Sequence, residues 1–315
     1  MIMHAIRHLK REDIDTFKWD RCVAQAPNGW LYARSFYLDG FGHWEALVKG
    51  DYDHIMPLPA KRKYGIRYLH IPPFTGQLGI IGKDPVTQTL TDEFIRHIPA
   101  SFLLVDIMLN EGNPAPSLPG IRRKQKTNLV LSLKDDYASI YRQYSKDAKK
   151  NLRRTQPLGL TPCFDIDMET IIRLYKTAYG KKNRDISEDA YDKMARLGDQ
   201  CIRNGSGFTM GIRNPEGTLL AAAFFGMDEK RIYYILGAPG GKDRASNAIH
   251  NLIDEVIKKY AGTGISFDFE GSDIPSVAVF YRKFGPQTKH YDFVQVIRSP
   301  FLRLFFRQKG DPEGW

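Results

Sequence analysis

Apolar residues recur at helical spacing in three segments of the second half of the chain, METIIRLYKTAYGKK, SEDAYDKMARLGDQCIRN and SNAIHNLIDEVIKKY. Ser187 is a suitable N-cap for the second of these helices, and Asn204-Gly205 marks its end. Apolar runs predict strands in LTPCFDI, GFTMGIR, TLLAAAFFGMD, RIYYILGA, GISFDF and KHYDFVQVIRS. The turn NPEG predicts a hairpin, and PSVAVFYRKF predicts a short helix before the last strand.

In chain order these elements read β-α-α-β-β-β-α-β-α-β from about Leu160 to Ser299. That order resembles the GNAT acyltransferase fold, in which a mixed sheet separates between its fourth and fifth strands. The first half shows the order more faintly, with helices within REDIDTFKWDRCVAQA and VTQTLTDEFIRHI and strands near WEALVKG, HIMPLPAKRKYG, IRYLHIPPFTGQLGII, FLLVDIML and NLVLSL. We therefore expect an α/β (α+β) chain of two tandem GNAT-like domains, mixed sheets flanked by helices, over residues 1–135 and 136–315, the second opening with a basic helix near Tyr137.

Composition indicates a folded protein with a substantial core, since 42% of the residues are hydrophobic and 26% are charged. The start MIMHAIRHLKRED has no apolar signal region, and no run approaches the roughly 18 apolar residues of a membrane-spanning helix, so we expect a cytoplasmic protein. Cys22, Cys163 and Cys201 are far apart and lack CxxC spacing, which argues against disulfides and a zinc site. The histidines show no HxxxH or HExxH pairing, and we predict no metal.

The formal net charge of +10 favours anionic partners, such as nucleotide-linked substrates, nucleic acid or an anionic membrane surface. The basic residues are concentrated in IRRKQK (residues 121–126) and YRQYSKDAKKNLRR (residues 141–154). Each run alone is typical of a solvated helix face. Their proximity along the chain favours a basic patch.

A glycine-rich turn joins an apolar strand to a helix in LGAPGGKDRASNAIH. Backbone N–H groups at a helix N-terminus can cradle a phosphate, and GNAT enzymes hold the pyrophosphate of coenzyme A at this junction. Their usual loop, Q/R-x-x-G-x-G/A, is not well reproduced here, and a mobile turn before a capped helix is the alternative. The candidate phosphate-binding residues are Gly240, Gly241, Lys242, Arg244 and Ser246, and the helix brings Asn247 and His250 toward the same ligand or only packs them.

Two carboxylates follow the predicted strand GISFDF, where Asp268 and Glu270 precede a short helix. A carboxylate at a strand end can act as a general base toward an attacking amine. Two residues apart in an extended chain, both would point to one side of the sheet, into a cleft or into solvent. Ser272 and Asp273, just before Ile274-Pro275, suit the capping role, which leaves Glu270 available for chemistry.

A third candidate site lies in the first half, in KRKYGIRYLHIPPFTGQLGI. Cations interleaved with aromatic residues suit recognition of a phosphorylated or sugar-bearing ligand, and they equally suit an exposed hairpin. The candidate residues are Lys61, Arg67, Tyr68 and Gln77.

The segments YLHIPPFTGQLG, YSKDAKKNLRRTQPLGL and FDFEGSDIPSVAVFYRKFG together resemble the FemABX family, whose members transfer amino acids from aminoacyl-tRNA onto peptidoglycan precursors. The resemblance covers about Trp44 to Ile297. The family's basic-helix motif R-R-x-[IL]-[RK]-x-A-x-x-x-G is matched loosely at Lys149, Lys150, Leu152, Arg153 and Gly159. The tyrosine and arginine of its next helix pair are matched by Tyr179 and Arg184.

Two departures from the family concern the end of the chain. The motif DFGG corresponds to Asp268-Phe269-Glu270-Gly271, so a glutamate replaces a glycine. The motif FKxxFG places Tyr281 where the family has lysine, with Arg282 and Lys283 following, which puts a lysine-dependent step in doubt. The coiled-coil insertion with which several members contact tRNA is absent from the sequence.

The resemblance implies acyl or aminoacyl transfer to an amine, on a cell-envelope precursor, in a cleft lined from both domains. Glu270 or Asp268 would assist deprotonation of the amine, and Lys61, Arg67, Arg153 and Lys283 would hold anionic parts of the substrates. No tightly bound cofactor is expected, and the donor is either aminoacyl-tRNA or an acyl-CoA. The alternatives are an acetyl-CoA-dependent N-acetyltransferase and a non-catalytic binder of RNA or an anionic membrane, for which the tail SPFLRLFFRQKGDPEGW provides basic and aromatic residues.

Overall fold

A computed structural model describes residues 5–164, 166–241 and 247–302, and its contacts divide the chain into two compact units. The first unit comprises the residues up to Lys126 together with those from His290 onward, and the second runs from Thr127 to Lys289. The final strand, which we expected within the second domain, thus makes its contacts in the first unit.

The described residues of the first unit form helices and the strands of one sheet. Their bounds are β1 (Ile6–Leu9), α1 (Thr16–Gln25), α2 (Ser35–Phe41), β2 (Trp44–Lys49), β3 (His54–Lys63), β4 (Ile66–Leu69), β5 (Ile81–Gly82), α3 (Gln88–His97), β6 (Leu104–Met108), the start of β7 (Arg122–Ser132) and most of β13 (Gln287–Ile297). The helices α1 and α3 and the strands β2, β3 and β6 lie where the sequence predicts them. The basic run IRRKQK lies in β7, and the segment from His70 to Ile80 is not strand.

The sheet of the first unit has the order β1-β2-β3-β4-β6-β13. Its neighbouring strands run antiparallel except β4 and β6, which are parallel and pair only at Tyr68 with Leu104 and Leu69 with Val105. Beyond Leu69 the two strands separate. Buried Phe94, Phe102 and Val105 belong to the core that this sheet shares with α3.

The second unit confirms the predicted order of elements. Its bounds are the end of β7, α4 (Tyr137–Gln143), α5 (Lys146–Thr155), β8 (Thr161–Cys163), α6 (Met168–Tyr179), α7 (Glu188–Arg203), β9 (Gly207–Arg213), β10 (Leu219–Met227), β11 (Arg231–Pro239), α8 (Ala248–Tyr260), β12 (Ser266–Asp268) and α9 (Pro275–Tyr281). Ser187 caps α7 as predicted, because its side chain accepts the Ala190 N–H, and the helix ends at Asn204.

The basic segment forms two helices rather than one. Extended backbone at Tyr144 and Ser145 ends α4, and Ser145 caps α5 by accepting the Ala148 N–H. Ala148 and Leu152 of α5 are buried while Lys150, Arg153 and Arg154 are exposed, so this run forms a solvated helix face. Within the described residues no helix combines the length and the apolar character needed to cross a bilayer.

The sheet of the second unit has the order β8-β9-β10-β11-β12-β7. Its strands are antiparallel except β11 and β12, which pair in parallel at three positions ending with Tyr233 and Asp268. Buried Phe225, Phe267 and Ile253 belong to its core. Each unit therefore has the short parallel pair, followed by strand separation, that the GNAT fold predicts.

Candidate active site

The strands β11 and β12 separate directly beside a β-bulge. β11 pairs with β10 as far as Pro239, whereas β12 ends at Asp268. Phe225 pairs with Tyr234 and Phe224 pairs with Leu236, so Ile235 is an extra residue in β11. Bulges redirect side chains and backbone groups and are frequent beside active sites. This end of β11 is therefore the candidate site in the second unit.

Four tyrosines from three elements form a cluster near this point, which we call the tyrosine cluster: Tyr175 and Tyr179 of α6, Tyr234 of β11 and Tyr281 of α9. Tyr175 and Tyr179, four residues apart on α6, have ring centroids 5.2 Å apart. The rings of Tyr234 and Tyr281 meet edge to face at 6.0 Å. The Asn183 amide donates to the Tyr175 hydroxyl at 3.0 Å.

Burial raises the pKa of three of these hydroxyls further above neutral pH. The pKa of Tyr281 lies well above its usual value because the side chain is buried, with further contributions from the other three tyrosines and from the Glu270 carboxylate. Burial also raises the pKa of Tyr234, and it raises the pKa of Tyr175 to about 12. Protonated hydroxyls in a desolvated place are effective hydrogen-bond donors toward developing negative charge.

Glu270 borders the cluster with an unusual backbone conformation. It is half-buried and has φ of 49°, in the left-handed region that residues with a side chain rarely adopt. Its backbone N–H donates to Asp268 Oδ1 at 3.0 Å, which holds this turn in place. Because the chain leaves the extended conformation here, Asp268 and Glu270 do not share one environment as the alternation of a strand predicts.

Asp268 is placed in a buried polar network rather than in a cleft. It is 1% exposed, and its Oδ2 accepts from Arg231 Nη1 and from Asn128 Nδ2, both at 2.8 Å. A carboxylate with these partners and no exposure is poorly placed to receive a proton from a substrate. The hypothesis that Asp268 is a general base is therefore corrected, and Asp268 positions Glu270.

The prediction that Ser272 and Asp273 cap the following helix is wrong. The N-cap residue of α9 is Ile274, which makes no side-chain cap, although Pro275 does occupy the first turn as predicted. Ser272 Oγ accepts from the Leu129 N–H at 3.2 Å, and Asp273 Oδ1 accepts from the Thr127 N–H at 3.4 Å. Both side chains thus fix this loop to β7 instead.

His250 and Lys283 belong to a second polar group, in which His250 is buried, Lys283 is partly exposed and the Lys283 partner Asp147 is exposed. His250 is buried, and its Nε2 lies 3.1 Å from Asn151 Nδ2. Burial lowers the pKa of His250 to about 4, with Lys283 contributing, so the ring is neutral and accepts the amide N–H. Lys283 Nζ forms an ion pair with Asp147 at 2.6 Å.

In the described part of the glycine-rich turn, the Gly240 N–H is engaged by the neighbouring strand. The Gly240 N–H donates to the Leu220 carbonyl at 2.8 Å, and a Cβ at Gly240 would lie 1.9 Å from the Leu219 carbonyl oxygen. Gly240 therefore allows close approach to β10, which corrects its assignment to a ligand. Gly241 is exposed. The candidates Lys242, Arg244 and Ser246 lie outside the described residues.

Helix α8 follows this turn and has Asn247 as its N-cap, in a left-handed conformation with φ of 50°. Two further candidates are exposed residues of the second unit. Arg153 is exposed in the last turn of α5. Arg184 is exposed in the connection from α6 to α7, where its Nε donates to the Lys181 carbonyl at 3.2 Å.

The candidates of the first unit are mostly engaged within that unit. Arg67 donates to the buried Glu45 carboxylate and, at 2.8 Å, to Ser101 Oγ. Gln77 is buried and accepts the Glu111 N–H at 2.7 Å. These contacts correct the assignment of Arg67 and Gln77 to a ligand. Tyr68 lies edge to face with His70 at 6.2 Å, and Lys61 is exposed on β3.

Sequence reasoning thus selected Glu270, Tyr179 and Tyr281, which the structure brings together, and did not select Tyr175 or Tyr234. The spacing of Tyr175 and Tyr179 on one helix face was a usable signal. No local pattern distinguishes Tyr234 within the apolar strand RIYYILGA. In the residues that the structure describes, no group of three or more acidic, histidine or cysteine side chains is arranged to hold a metal ion.

No protein-family model and no curated protein sequence matches the chain. FemX is similar in structure over 95% of this chain and 99% of its own, with 12% identity and a TM-score of 0.71. The C-terminal domain of a "Putative Lysylphosphatidylglycerol Synthetase" from Agrobacterium fabrum is similar over 96% of this chain and 99% of its own, with 12% identity and a TM-score of 0.57. L-PGS from Bacillus licheniformis is similar over 94% and 96%, with 11% identity and a TM-score of 0.56. The fold expected from the FemABX resemblance is therefore confirmed.

Proposed function

We propose that the chain transfers an acyl or aminoacyl group from an activated donor to an amine, with the chemistry at the tyrosine cluster. The observation that carries this proposal is the position of Glu270. A half-buried carboxylate in a left-handed turn borders protonated tyrosine hydroxyls where β11 and β12 separate. Strained backbone at such a place is more often functional than structural.

In this proposal Glu270 is the general base. An amine attacks an acyl carbon only as the neutral form, so a carboxylate within hydrogen-bond reach must remove its proton. Attack places negative charge on the acyl oxygen. Tyr234, Tyr281 and the backbone at the Ile235 bulge are the groups available to stabilise that charge. When the acyl carbonyl re-forms, the bond between the acyl carbon and the donor's oxygen or sulfur breaks, and the departing group takes the proton that Glu270 accepted from the amine. Direct transfer of this kind requires no covalent enzyme intermediate.

We favour an aminoacyl donor over an acyl-CoA, which stays the alternative. Aromatic rings beside a carboxylate suit the ammonium group of an aminoacyl ester. The backbone N–H of Gly240, which a pyrophosphate cradle would use, donates to β10. The net charge of +10 further supports an anionic donor such as aminoacyl-tRNA, or an anionic acceptor such as a cell-envelope precursor.

The decisive experiment measures transfer of a radiolabelled acyl group to a panel of amine acceptors, with charged tRNA and acyl-CoA as separate donors. Glu270→Gln should lower kcat/KM by about 10²-fold or more, as expected for loss of a general base. Tyr281→Phe should lower it by roughly tenfold or more without changing which donor is used. Glu216→Gln, at an exposed position of the turn between β9 and β10, is the matched control.

Three outcomes discriminate the alternatives. Transfer from acetyl-CoA alone would identify an N-acetyltransferase and overturn the aminoacyl donor. A Glu270→Gln protein with the wild-type rate would remove Glu270 from the mechanism. Salt-sensitive RNA or vesicle binding with no transfer from any donor would indicate a non-catalytic binding protein.

A further inference from the structure

The hairpin that joins β3 and β4 has an aromatic residue at its tip and basic residues beside it. The two-residue turn is Tyr64-Gly65, between Lys63 and Ile66, which pair across the hairpin. Tyr64 is 91% exposed, the largest value among the exposed large hydrophobic residues that the structure describes. Lys63 Nζ lies 5.5 Å from the centre of its ring.

Local folding preferences do not explain this composition. Tyr64 and Gly65 have φ of 50° and 76°, the geometry of a type I′ turn, in which the first position favours asparagine, aspartate or glycine. Arg62 lies directly across from Arg67, whose charge is offset by the Glu45 carboxylate. The tyrosine at the first turn position is therefore the locally unfavourable choice, and such departures from local preference mark functional positions.

The charge of the hairpin specifies an anionic partner. Lys61, Arg62 and Lys63 are exposed, and the sequence contains no acidic residue from Lys61 to Lys83. The shape favours an extended surface over a small ligand, because a two-residue turn is convex whereas small-molecule sites are concave. A tyrosine has an apolar ring and a polar end, which suits the headgroup level of a bilayer.

We propose that the β3–β4 hairpin, residues 61–66, docks the protein on an anionic phospholipid surface. Tyr64 enters the headgroup region, and Lys61, Arg62 and Lys63 pair with lipid phosphates. Each cation near such a surface raises the binding affinity about fivefold, so the three cations together raise it roughly 100-fold. The resulting attachment is weak and sensitive to salt. This surface shares no residue with the tyrosine cluster, and the docking proposal does not depend on the proposed transfer reaction.

The test is co-sedimentation of the full chain with vesicles of phosphatidylcholine and phosphatidylglycerol, and with phosphatidylcholine alone, at low and high salt. The wild type should bind only the anionic vesicles, and less at high salt. The triple variant Lys61→Gln, Arg62→Gln, Lys63→Gln should lose affinity by about 10- to 100-fold. Lys10→Gln, Lys83→Gln, Arg96→Gln removes the same charge from other exposed positions of the first unit and should keep most of the affinity.

Tyr64→Asn separates binding from folding. Asparagine suits the left-handed first position of this turn, so the melting temperature should stay the same or rise while vesicle affinity falls several-fold. The proposal is overturned if the wild type does not prefer anionic vesicles, or if Tyr64→Asn and the triple variant bind like the wild type. Equal losses of vesicle affinity in the hairpin triple variant and the control triple variant would show that binding depends only on net charge. That result would also overturn the proposal. Hairpin-dependent binding of single-stranded RNA without vesicle binding would assign the surface to another partner.

Discussion

In both units the two parallel strands separate after a short pairing, but different groups fill or border the opening between them. In the first unit, the Leu78 N–H donates to the Met108 carbonyl at 3.2 Å beyond the last β4–β6 pair, and a cavity of about 10 Å³ remains. That volume holds about one water molecule. In the second unit, the corresponding position beyond Tyr233 and Asp268 is bordered by hydroxyls and by Glu270.

The side chains around each opening account for this difference. In the first unit, Asn110 donates to the Leu78 carbonyl at 2.7 Å, and Asn113 both donates to the Ile80 carbonyl and accepts the Ile80 N–H at 2.8 Å. These amides hold a loop in the place of a strand. In the second unit a carboxylate, Asp268, holds a turn that presents another carboxylate. The gap between the separated strands is thus covered by a loop in the first unit. In the second unit it is bordered by a carboxylate and tyrosine hydroxyls.

The tryptophans make the two units experimentally separable. Trp19, Trp30 and Trp44 belong to the first unit, Trp315 lies outside the described residues, and the sequence has no tryptophan between Thr127 and Lys289. Tryptophan emission therefore reports on the first unit, whereas far-ultraviolet circular dichroism reports on both. Denaturation followed by both signals can therefore show which unit a substitution destabilises.

The largest effect is expected for Asp268→Asn, which removes the negative charge paired with the buried Arg231. Breaking a buried pair in this way costs about 3–5 kcal/mol of unfolding free energy. Transfer activity should fall with it, because Glu270 loses its support. The circular dichroism transition should shift more than tryptophan emission does. Equal stability of variant and wild type would contradict the assigned positioning role.

Asn113→Ala should have the next largest effect, confined to the first unit. It leaves the buried Ile80 N–H without its amide acceptor, whereas the Ile80 carbonyl keeps the Asn28 and Asn110 amides, so the cost is about 1–3 kcal/mol. Tryptophan emission should report the loss at lower denaturant concentration than in the wild type. Activity per folded molecule should be unchanged, and a matching loss of activity would show that the first opening takes part in the chemistry.

Gly237→Ala tests the tyrosine cluster from the backbone side. A Cβ at Gly237 would lie 1.9 Å from the Tyr234 hydroxyl oxygen, so the ring must move. Overpacking of this kind costs about 1–3 kcal/mol, and a displaced hydroxyl should lower kcat by roughly tenfold or more. Thr218→Ala, at an exposed position of the turn between β9 and β10, is the control. A rate equal to that of the control would exclude Tyr234 from the site.

Local and distant contacts explain which of these features were predictable from the sequence. Helix α7 was predictable because its spacing, its Ser187 cap and its end at Asn204 are all local. The pairing of β13 with β6 was not predictable, because it joins residues that are far apart in the sequence, such as Phe293 and Met108. The tyrosine cluster likewise joins residues of α6, β11 and α9. The sequence placed Asp268 in the cleft because its buried partner Arg231 lies in another strand and cannot be identified from the local pattern.

The smallest effect concerns Asp106, the acid of the first opening, which accepts from Gln295 Nε2 at 3.0 Å. Burial raises the pKa of Asp106, so the folded chain binds this proton more tightly than the unfolded chain does. The contribution to stability is then greatest at acidic pH and is lost as the pH rises above the unfolded pKa near 4.

Asp106→Asn should therefore raise the unfolding free energy at neutral pH, by a few tenths to about 1 kcal/mol, and flatten its pH dependence above pH of about 4. Tryptophan emission during denaturation at a series of pH values measures both. Transfer activity should keep its pH profile, because this acid lies in the closed opening. A changed profile would mean that the two openings do not differ in function as their side chains indicate.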